Sequence, residues 1–453
     1  MFKTVLFTYI LVFVHQNEAA KILAFYPTPS ISHQVVFRPL TLELIRRGHE
    51  VVVITADPIY SEGQGPSNLK EIDVHDLSYS RWKKMLRENK NRIDKGNYDF
   101  IMLFLSKLVE LQIKTPGVQK ILSDKSAAFD LIIVEAYIEV TLGLAHFYKA
   151  PVIQFSSVAA AGTIFKNYGA PVNYLVYPSL IRERIYNLTM WEKITESYIE
   201  YNFDNIFSEN KELYDGLLKS TYGPNTPSLE ELKSNVDLLF LNVHSIWDFN
   251  RPVPPNVVYL GGLHQKPQKE LPEDLLKYLD SSKNGVIYIS FGTNVDPGLF
   301  SPETIQIFVN VFSKLPYDVL WKWNQDELPG RTENIKISKW LPQSDLLRHP
   351  KIKLFITQGG LQSTDEAITA GVPLIGIPIL GDQKFNVEQY LHFKIGQRVK
   401  IETITEDKLN NAINSILRDN SYRQNVEKLR LIINDQPQTP LERAVWWTEY
   451  VIR

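Results

Sequence analysis

Cysteine is absent from all 453 residues, which excludes disulfides, thiolate metal sites and a cysteine nucleophile together while leaving the compartment open. Excess charge is absent too. The 49 basic and 51 acidic residues leave a formal net charge of −2, and no basic run exceeds a few residues, which argues against nucleic acid as a partner. After the first twenty positions no uninterrupted apolar run is long enough to span a bilayer. Neither Asp-x-Asp nor His-Glu-x-x-His occurs, so two common metal-site signatures are missing. The first strand is followed by "PTPSISH" (27–33) instead of G-x-G-x-x-G, which removes support for a nicotinamide-dependent dehydrogenase.

What remains has the composition of a globular enzyme, with 44% hydrophobic and 22% charged residues. The length calls for two or three domains. "MFKTVLFTYILVFVHQNEAA" has an early lysine, an apolar centre from Val5 to Val14 and small residues at Ala19 and Ala20. These are the features of a secretory signal peptide over 1–20, so the mature chain is expected to be soluble in the endoplasmic reticulum lumen or secreted. Asn187-Leu188-Thr189 is the single N-glycosylation sequon and marks Asn187 as a candidate acceptor.

Apolar strands alternate with helical stretches along two successive series. The first runs through "KILAFYP" (21–27), "VVVIT" (51–55), "DLIIVE" (130–135), "APVIQFS" (150–156) and "VDLLFLN" (236–242). The second runs through "NGVIYISFG" (284–292), "DVLWKW" (318–323), "KLFITQ" (353–358) and "VPLIGIP" (372–378). Between them, 248–280 holds prolines at 252, 254, 255, 267 and 272 and reads as a linker. Continuous apolar strands separated by helices predict parallel sheets covered on both faces, here two doubly wound α/β domains over 21–247 and 281–430, with C-terminal helices over 431–453 packing back toward the first. Ligands of such domains bind at the carboxyl ends of the strands.

Two glycine turns stand at such ends. "SFGTN" brings Gly292, Thr293 and Asn294 to the end of one strand, and "TQGGLQST" brings Gly359 and Gly360 to the start of a helix. Backbone N–H groups and the positive end of the helix dipole can hold an anion there without a formal cation. Ser363-x-x-Glu366 also fits a capping box, a purely structural role for both residues. In the first series, His33 lies at the start of the helix after the first strand. The dipole there favours a neutral imidazole, as a general base requires. Glu135 ends the strand "DLIIVE" and can orient that ring.

From Trp340 to Gln383 the chain reads W-L-P-Q…L…H-P…F…Q-G-G…S…E…G-V-P…P…D-Q over 44 positions. This stretch resembles the signature of the UDP-glycosyltransferase family, in the form "TQGGLQSTDEA" of its insect branch. The likeness extends to "NVVYLGGLH", "SFGTN" and "RAVWWTEYV". The resemblance implies a GT-B fold of two Rossmann-like domains facing across a cleft, with the donor in the C-terminal half and the acceptor in the N-terminal half. It implies that Trp340 stacks on uracil, that the main chain around Gln343 pairs with the base edge, and that Glu366 accepts from the ribose hydroxyls. Ser363, Gly359, Gly360 and Thr293 with Gly292 would hold the diphosphate, and Asp382 and Gln383 the sugar. Gln358 stands where most members have histidine and Gln362 where many have asparagine. Both keep an amide donor to phosphate, while any imidazolium charge at 358 is lost.

The implied activity is inverting, metal-independent transfer of a hexose to a hydroxyl of a small lipophilic acceptor such as a phenol, flavonoid, steroid or xenobiotic, with His33 as base and Glu135 as its acidic partner. The insect-like box favours UDP-glucose as co-substrate, with UDP-glucuronate as the alternative, and no further cofactor. A steroid-hormone glucosyltransferase like the baculoviral ecdysteroid enzymes is one form of this reading. Trp82, Phe104, Trp191, Tyr198 and Phe203, on helices over 80–125 and 180–216, are candidates for an apolar acceptor wall. Relatives usually continue into a membrane-spanning helix, an anchor the given chain lacks. Self-association into a homo-oligomer stays open, as does a non-catalytic binder of UDP-sugar or of a lipophilic ligand.

Overall fold

The computed structural model describes residues 19–89, 98–124, 126–293 and 300–453. The expected signal peptide, apart from Ala19 and Ala20, and Asn294 of the "SFGTN" turn lie outside the described residues.

Among the described residues, seven strands make the first sheet: β1 (Lys21–Tyr26), β2 (Glu50–Thr55), β3 (Leu69–Asp73), β4 (Leu131–Glu135), β5 (Val152–Ser156), β6 (Leu238–Leu241) and β7 (Val257–Tyr259). All pair in parallel, in the order β3-β2-β1-β4-β5-β6-β7. Six make the second: β8 (Val286–Ser290), β9 (Asp318–Lys322), β10 (Ile335–Ser338), β11 (Ile352–Thr357), β12 (Leu374–Gly376) and β13 (Gly396–Arg398). These are also parallel, in the order β10-β9-β8-β11-β12-β13. β4, β5 and β8 are buried at every residue, as expected for strands with helices on both faces.

In each sheet the chain starts in the middle, winds to one edge, then returns to build the other half. The strand order therefore reverses between β1 and β4 in one sheet and between β8 and β11 in the other. Such switch points leave a crevice at the carboxyl ends, because the connections on its two sides run in opposite directions.

Five helices place the site. α1 (Ile31–Arg46) follows β1 and buries Val36, Phe37, Leu40 and Leu44, with the Phe37 ring stacked on Tyr26 at 4.1 Å. α2 (Met190–Glu209) belongs to the long insertion between β5 and β6. α3 (Leu361–Ala370) follows β11, and α4 (Gln383–His392) follows β12. α5 (Pro440–Ile452) opens with a capping box between Thr439 and Glu442 and packs Ala444 and Val445 into the α1 cluster, while its Glu449 pairs with Arg47 at 3.1 Å.

Four strands, β3, β7, β10 and β13, the outer strands of the two sheets, escape the hydrophobic pattern. β3, with sequence LKEID, is an edge strand whose polar residues meet solvent, so its composition does not alternate cleanly. β7 lies inside the proline-rich stretch 248–280, so part of that stretch is sheet, paired in parallel with β6.

Candidate active site

A cleft of about 570 Å³ opens between the carboxyl ends of the two sheets. Ile31, Ser32, His33, Val35 and Arg38 of α1, with Val158 after β5, line one wall. The turns after β8 and β11, the segment 340–345 and the start of α4 line the other.

His33 occupies the first turn of α1 and Glu135 ends β4, so the two flank the first switch point. Their contact is direct: His33 Nδ1 lies 2.7 Å from Glu135 Oε1. Glu135 is 2% exposed, and its Oε2 accepts the Thr28 N–H at 3.2 Å. A carboxylate only accepts, so Nδ1 donates and the lone pair of the neutral ring is left on Nε2. Ser157 Oγ lies 3.0 Å from the same Nδ1, a second oxygen beside that hydrogen.

Gly292 and Gly359 flank the second switch point with φ of +72° and +89°. Both positive angles and the space around them demand glycine. A Cβ on Gly359 would come within 2.6 Å of Val387 Cγ2, and one on Gly292 would run into the amide of Gln358. Gln358 is 8% exposed, and its Oε1 has no hydrogen-bond partner among the described residues. An amide in this state can turn over, so either end is able to meet a ligand group. Gly360 caps α3, and Gly360, Gln362 and Ser363 at the start of this helix line the cleft. Thr293 also lines the cleft.

The capping box expected at Ser363 and Glu366 does not form. α3 starts three residues earlier than that box requires, at Leu361, with Gly360 as its cap. Ser363 and Glu366 are instead joined by Gln343, whose Nε2 donates to Ser363 Oγ at 2.9 Å and to Glu366 Oε2 at 2.7 Å. Tyr288 OH donates to Gln343 Oε1 at 3.1 Å and completes the lock. Burial raises the Glu366 carboxyl above its usual range, opposed by the Gln343 bond. Trp340 precedes this group and is 66% exposed, an indole face left open on the cleft.

Asp382 and Gln383 line the cleft at the start of α4. Gln383 Oε1 accepts the N–H groups of Ile379 and Leu380 at 2.8 and 2.9 Å, so its NH₂ end is what it can offer a ligand. Burial raises the Asp382 carboxyl, opposed by a hydrogen bond from Asn386 and by the nearby His33. Gln362 lies on the cleft, but its Nε2 donates to the Ser157 carbonyl at 3.0 Å, which ties the second glycine turn to the His33 side.

Two participants carried no recognisable signal in the sequence. Lys322, the last residue of β9, donates to the Gly292 carbonyl at 2.6 Å and stands 5.1 Å from the Trp340 ring centre. Ser157 was hidden because a serine after a strand is unremarkable until the fold brings it to His33. The expected aromatic wall does not line the cleft. Trp82 and Phe104 pack on each other at 6.0 Å against a core cluster, Trp191 and Tyr198 are 79% and 65% exposed on α2, and Phe203 is also absent from the lining. Helical periodicity alone could not tell these faces apart. Asn187 is exposed, away from the cleft, with φ of +54°.

A family model described as UDP-glucoronosyl and UDP-glucosyl transferase matches residues 20–453. The chain is 36% identical over 450 residues to an ecdysteroid UDP-glucosyltransferase of Lymantria dispar multicapsid nuclear polyhedrosis virus, covering 96% of this chain and 88% of that protein. It is 31% identical over 453 residues to UDP-glycosyltransferase UGT4 of Dactylopius coccus, covering 98% and 86%. Among solved structures, a UDP-glucose: anthocyanidin 3-O-glucosyltransferase in complex with UDP superposes with a TM-score of 0.66 at 17% identity, covering 95% of this chain and 98% of that one.

Proposed function

This chain belongs to the UDP-glucoronosyl and UDP-glucosyl transferase family, a glycosyltransferase of GT-B fold, and from that premise we propose that it moves glucose from UDP-glucose to a hydroxyl of a small lipophilic acceptor with inversion at the anomeric carbon. The observation that carries this reading is the placement of the His33–Glu135 pair at one switch point, opposite the two glycine turns at the other. A base and an anion cradle face each other across one cleft.

In the proposed step the acceptor O–H gives its proton to His33 Nε2 as its oxygen attacks the anomeric carbon. The bond from that carbon to the β-phosphate oxygen breaks, and its electron pair leaves with UDP. Attack from the His33 wall on a donor held by the opposite wall is a single in-line displacement, which inverts configuration. Glu135 fixes the tautomer and stabilises the imidazolium that forms. Backbone donors of the turns at Gly292 and Gly359–Gly360, Ser363 and the α3 N-terminus stabilise the leaving diphosphate. This reading assigns that work to protein groups and calls for no divalent metal. Trp340 would carry the base, Glu366 the ribose, and Asp382 with Gln383 the sugar hydroxyls.

On the acceptor side, Ile31, Val35 and Val158 supply apolar surface around His33. That lining suits a lipophilic ring system, and the ecdysteroid UDP-glucosyltransferases among the relatives favour a steroid. A lumenal or secreted location accords with the N-terminal signal sequence. The test is product formation by mass spectrometry, with UDP-glucose or UDP-glucuronate and a panel of ecdysteroids, phenols and flavonoids, beside His33→Ala. A hexose adduct lost in the variant is the expected outcome. UDP binding without any adduct from either donor would instead make the chain a non-catalytic binder.

A further inference from the structure

α4 has two roles that meet at one buried side chain. Its first turn brings Asp382 and Gln383 to the cleft, while its opposite face rests on the N-terminal half of the chain. Asn386, 2% exposed, stands between them. Its Nδ2 donates to Asp382 Oδ2 at 2.8 Å and to the Gly359 carbonyl at 2.9 Å, and its Oδ1 accepts the indole N–H of Trp247 at 2.9 Å. An indole nitrogen only donates, while the Gly359 carbonyl accepts. The Asn386 amide is therefore held in one orientation by its neighbours and cannot turn over without losing all three bonds.

Trp247 comes from the short helical turn Ser245–Asp248 after β6, so this hydrogen bond crosses between the two halves. It is 3% exposed and stacks on Phe393 at 5.7 Å. The same face of α4 is gripped again lower down. Gln389 Nε2 donates to the Trp247 carbonyl at 3.2 Å, Tyr186 OH donates to Gln389 Oε1 at 2.6 Å, and Tyr186 stacks on His392 at 3.8 Å. At the other end, Lys384 pairs with Glu183 at 3.1 Å.

We infer that Asn386 is a positioning residue for sugar recognition, and that Trp247 sets it from the other side of the domain interface. The chain of contacts runs from Trp247 through Asn386 to Asp382. It ties the Asp382 carboxylate through Oδ2 to the Asn386 amide, beside the Leu361 N–H that also reaches it, and so sets the direction in which that carboxylate meets a sugar hydroxyl. It also binds the sugar end of the site to the Gly359 turn, so diphosphate and hexose are held at one spacing. A hydroxyl of the wrong configuration then meets an acceptor that cannot move toward it. This inference rests on the reading of Asp382 as a sugar ligand.

The test uses the full-length enzyme with Trp247→Phe, Asn386→Ala and Asp382→Asn. Trp247→Phe keeps a ring for stacking and removes one N–H, so it is the gentlest probe. Three quantities are read: the Kd of UDP, which has no sugar; kcat/KM with UDP-glucose and with its C4 epimer UDP-galactose; and Tm. The expected result for Trp247→Phe and Asn386→Ala is kcat/KM for UDP-glucose lower by about tenfold or more and a glucose-to-galactose ratio falling toward one, with the UDP Kd unchanged in Trp247→Phe, which leaves the Asn386–Gly359 bond in place. A purely structural contact would lower Tm and reduce both donors equally, which overturns the inference. If Asp382→Asn collapses the ratio while Trp247→Phe and Asn386→Ala leave it intact, the sugar site stands and the inference falls. If Asp382→Asn itself leaves the ratio unchanged, the reading of Asp382 fails and takes the inference with it.

Discussion

Lys322 Nζ donates to the Gly292 carbonyl across 2.6 Å and holds its ammonium 5.1 Å from the centre of the Trp340 ring. A cation thus stands beside a glycine turn whose own sequence has none, near the buried amide of Gln358. With Lys322 in place, the diphosphate reading does not depend on an imidazolium at 358. Replacing Lys322 by Met keeps the stem and removes the charge. UDP should bind about tenfold more weakly, the scale of one partly solvated charge-assisted contact, and the loss should shrink at high salt. Calorimetric titration with UDP at low and high salt checks both. An unchanged Kd would place the lysine outside the diphosphate field.

Glu135→Gln tests the tautomer argument. The carboxamide has nearly the same shape, yet it can turn an N–H toward His33 Nδ1, which then becomes the acceptor and moves the ring proton to Nε2. A base with its proton on the wrong nitrogen should lose about 10²–10⁴ in kcat, with UDP affinity unaltered. Steady-state kinetics beside UDP titration separates the two. A variant with ordinary kcat would remove Glu135 from the mechanism.

Most of the scaffold was legible because it rests on local pattern. Runs such as LIIVE and VIYIS show no polar alternation before their last residue, as a doubly covered strand requires, and the glycines at 292 and 359 mark turns with positive φ. The 44-position stretch then brought the cleft residues in as a set. What stayed hidden depends on distant parts of the chain. α3 is capped at Gly360 directly after the turn that follows β11, so a plausible capping box at Ser363 is out of place by three residues. Lys322 and Ser157 are ordinary strand-end residues until two sheets bring them to the cleft. The five aromatics lie outside the cleft lining, because a helix exposes and buries aromatic residues with the same spacing.

Gly292 and Gln358 should be energetically coupled. An alanine at 292 suffers twice, from φ of +72° and from contact with the Gln358 amide. The backbone strain alone is worth about 1–2 kcal/mol. Gln358→Ser clears the contact and leaves the strain. In a double-mutant cycle by urea unfolding, Gly292→Ala should therefore cost less in the Gln358→Ser background than alone, by about 1 kcal/mol. Strict additivity would show that the amide yields freely and that only φ demands glycine.

The last prediction concerns acid stability. His264 is 5% exposed, its Nε2 lies 3.2 Å from the Gln362 carbonyl, and its Nδ1 is buried without a partner among the described residues. The carbonyl only accepts, so Nε2 carries a proton, and the buried Nδ1, with no acceptor for a second proton, keeps the ring neutral. Burial pushes its pKa down to about 4, and His244 nearby is pushed down to about 4 for the same reason. A histidine depressed in the folded state contributes stability that is complete above the unfolded pKa of about 6.5, because both states are then neutral. As pH falls from about 6.5 toward 4, the unfolded chain takes up the proton first and stability drains away. For His264 the drop is on the order of 3 kcal/mol, at 1.36 kcal/mol per pKa unit. His244 and His264 repel when both are charged, so their contributions do not simply add. His264→Gln retains an amide donor toward Gln362 and removes the titrating ring. Urea unfolding followed from about pH 7.5 to 4.5 should show a steep acid limb in the wild type and a shallower one in the variant. Parallel limbs would mean that His264 is protonated without unfolding, by a water or carboxyl reaching Nδ1.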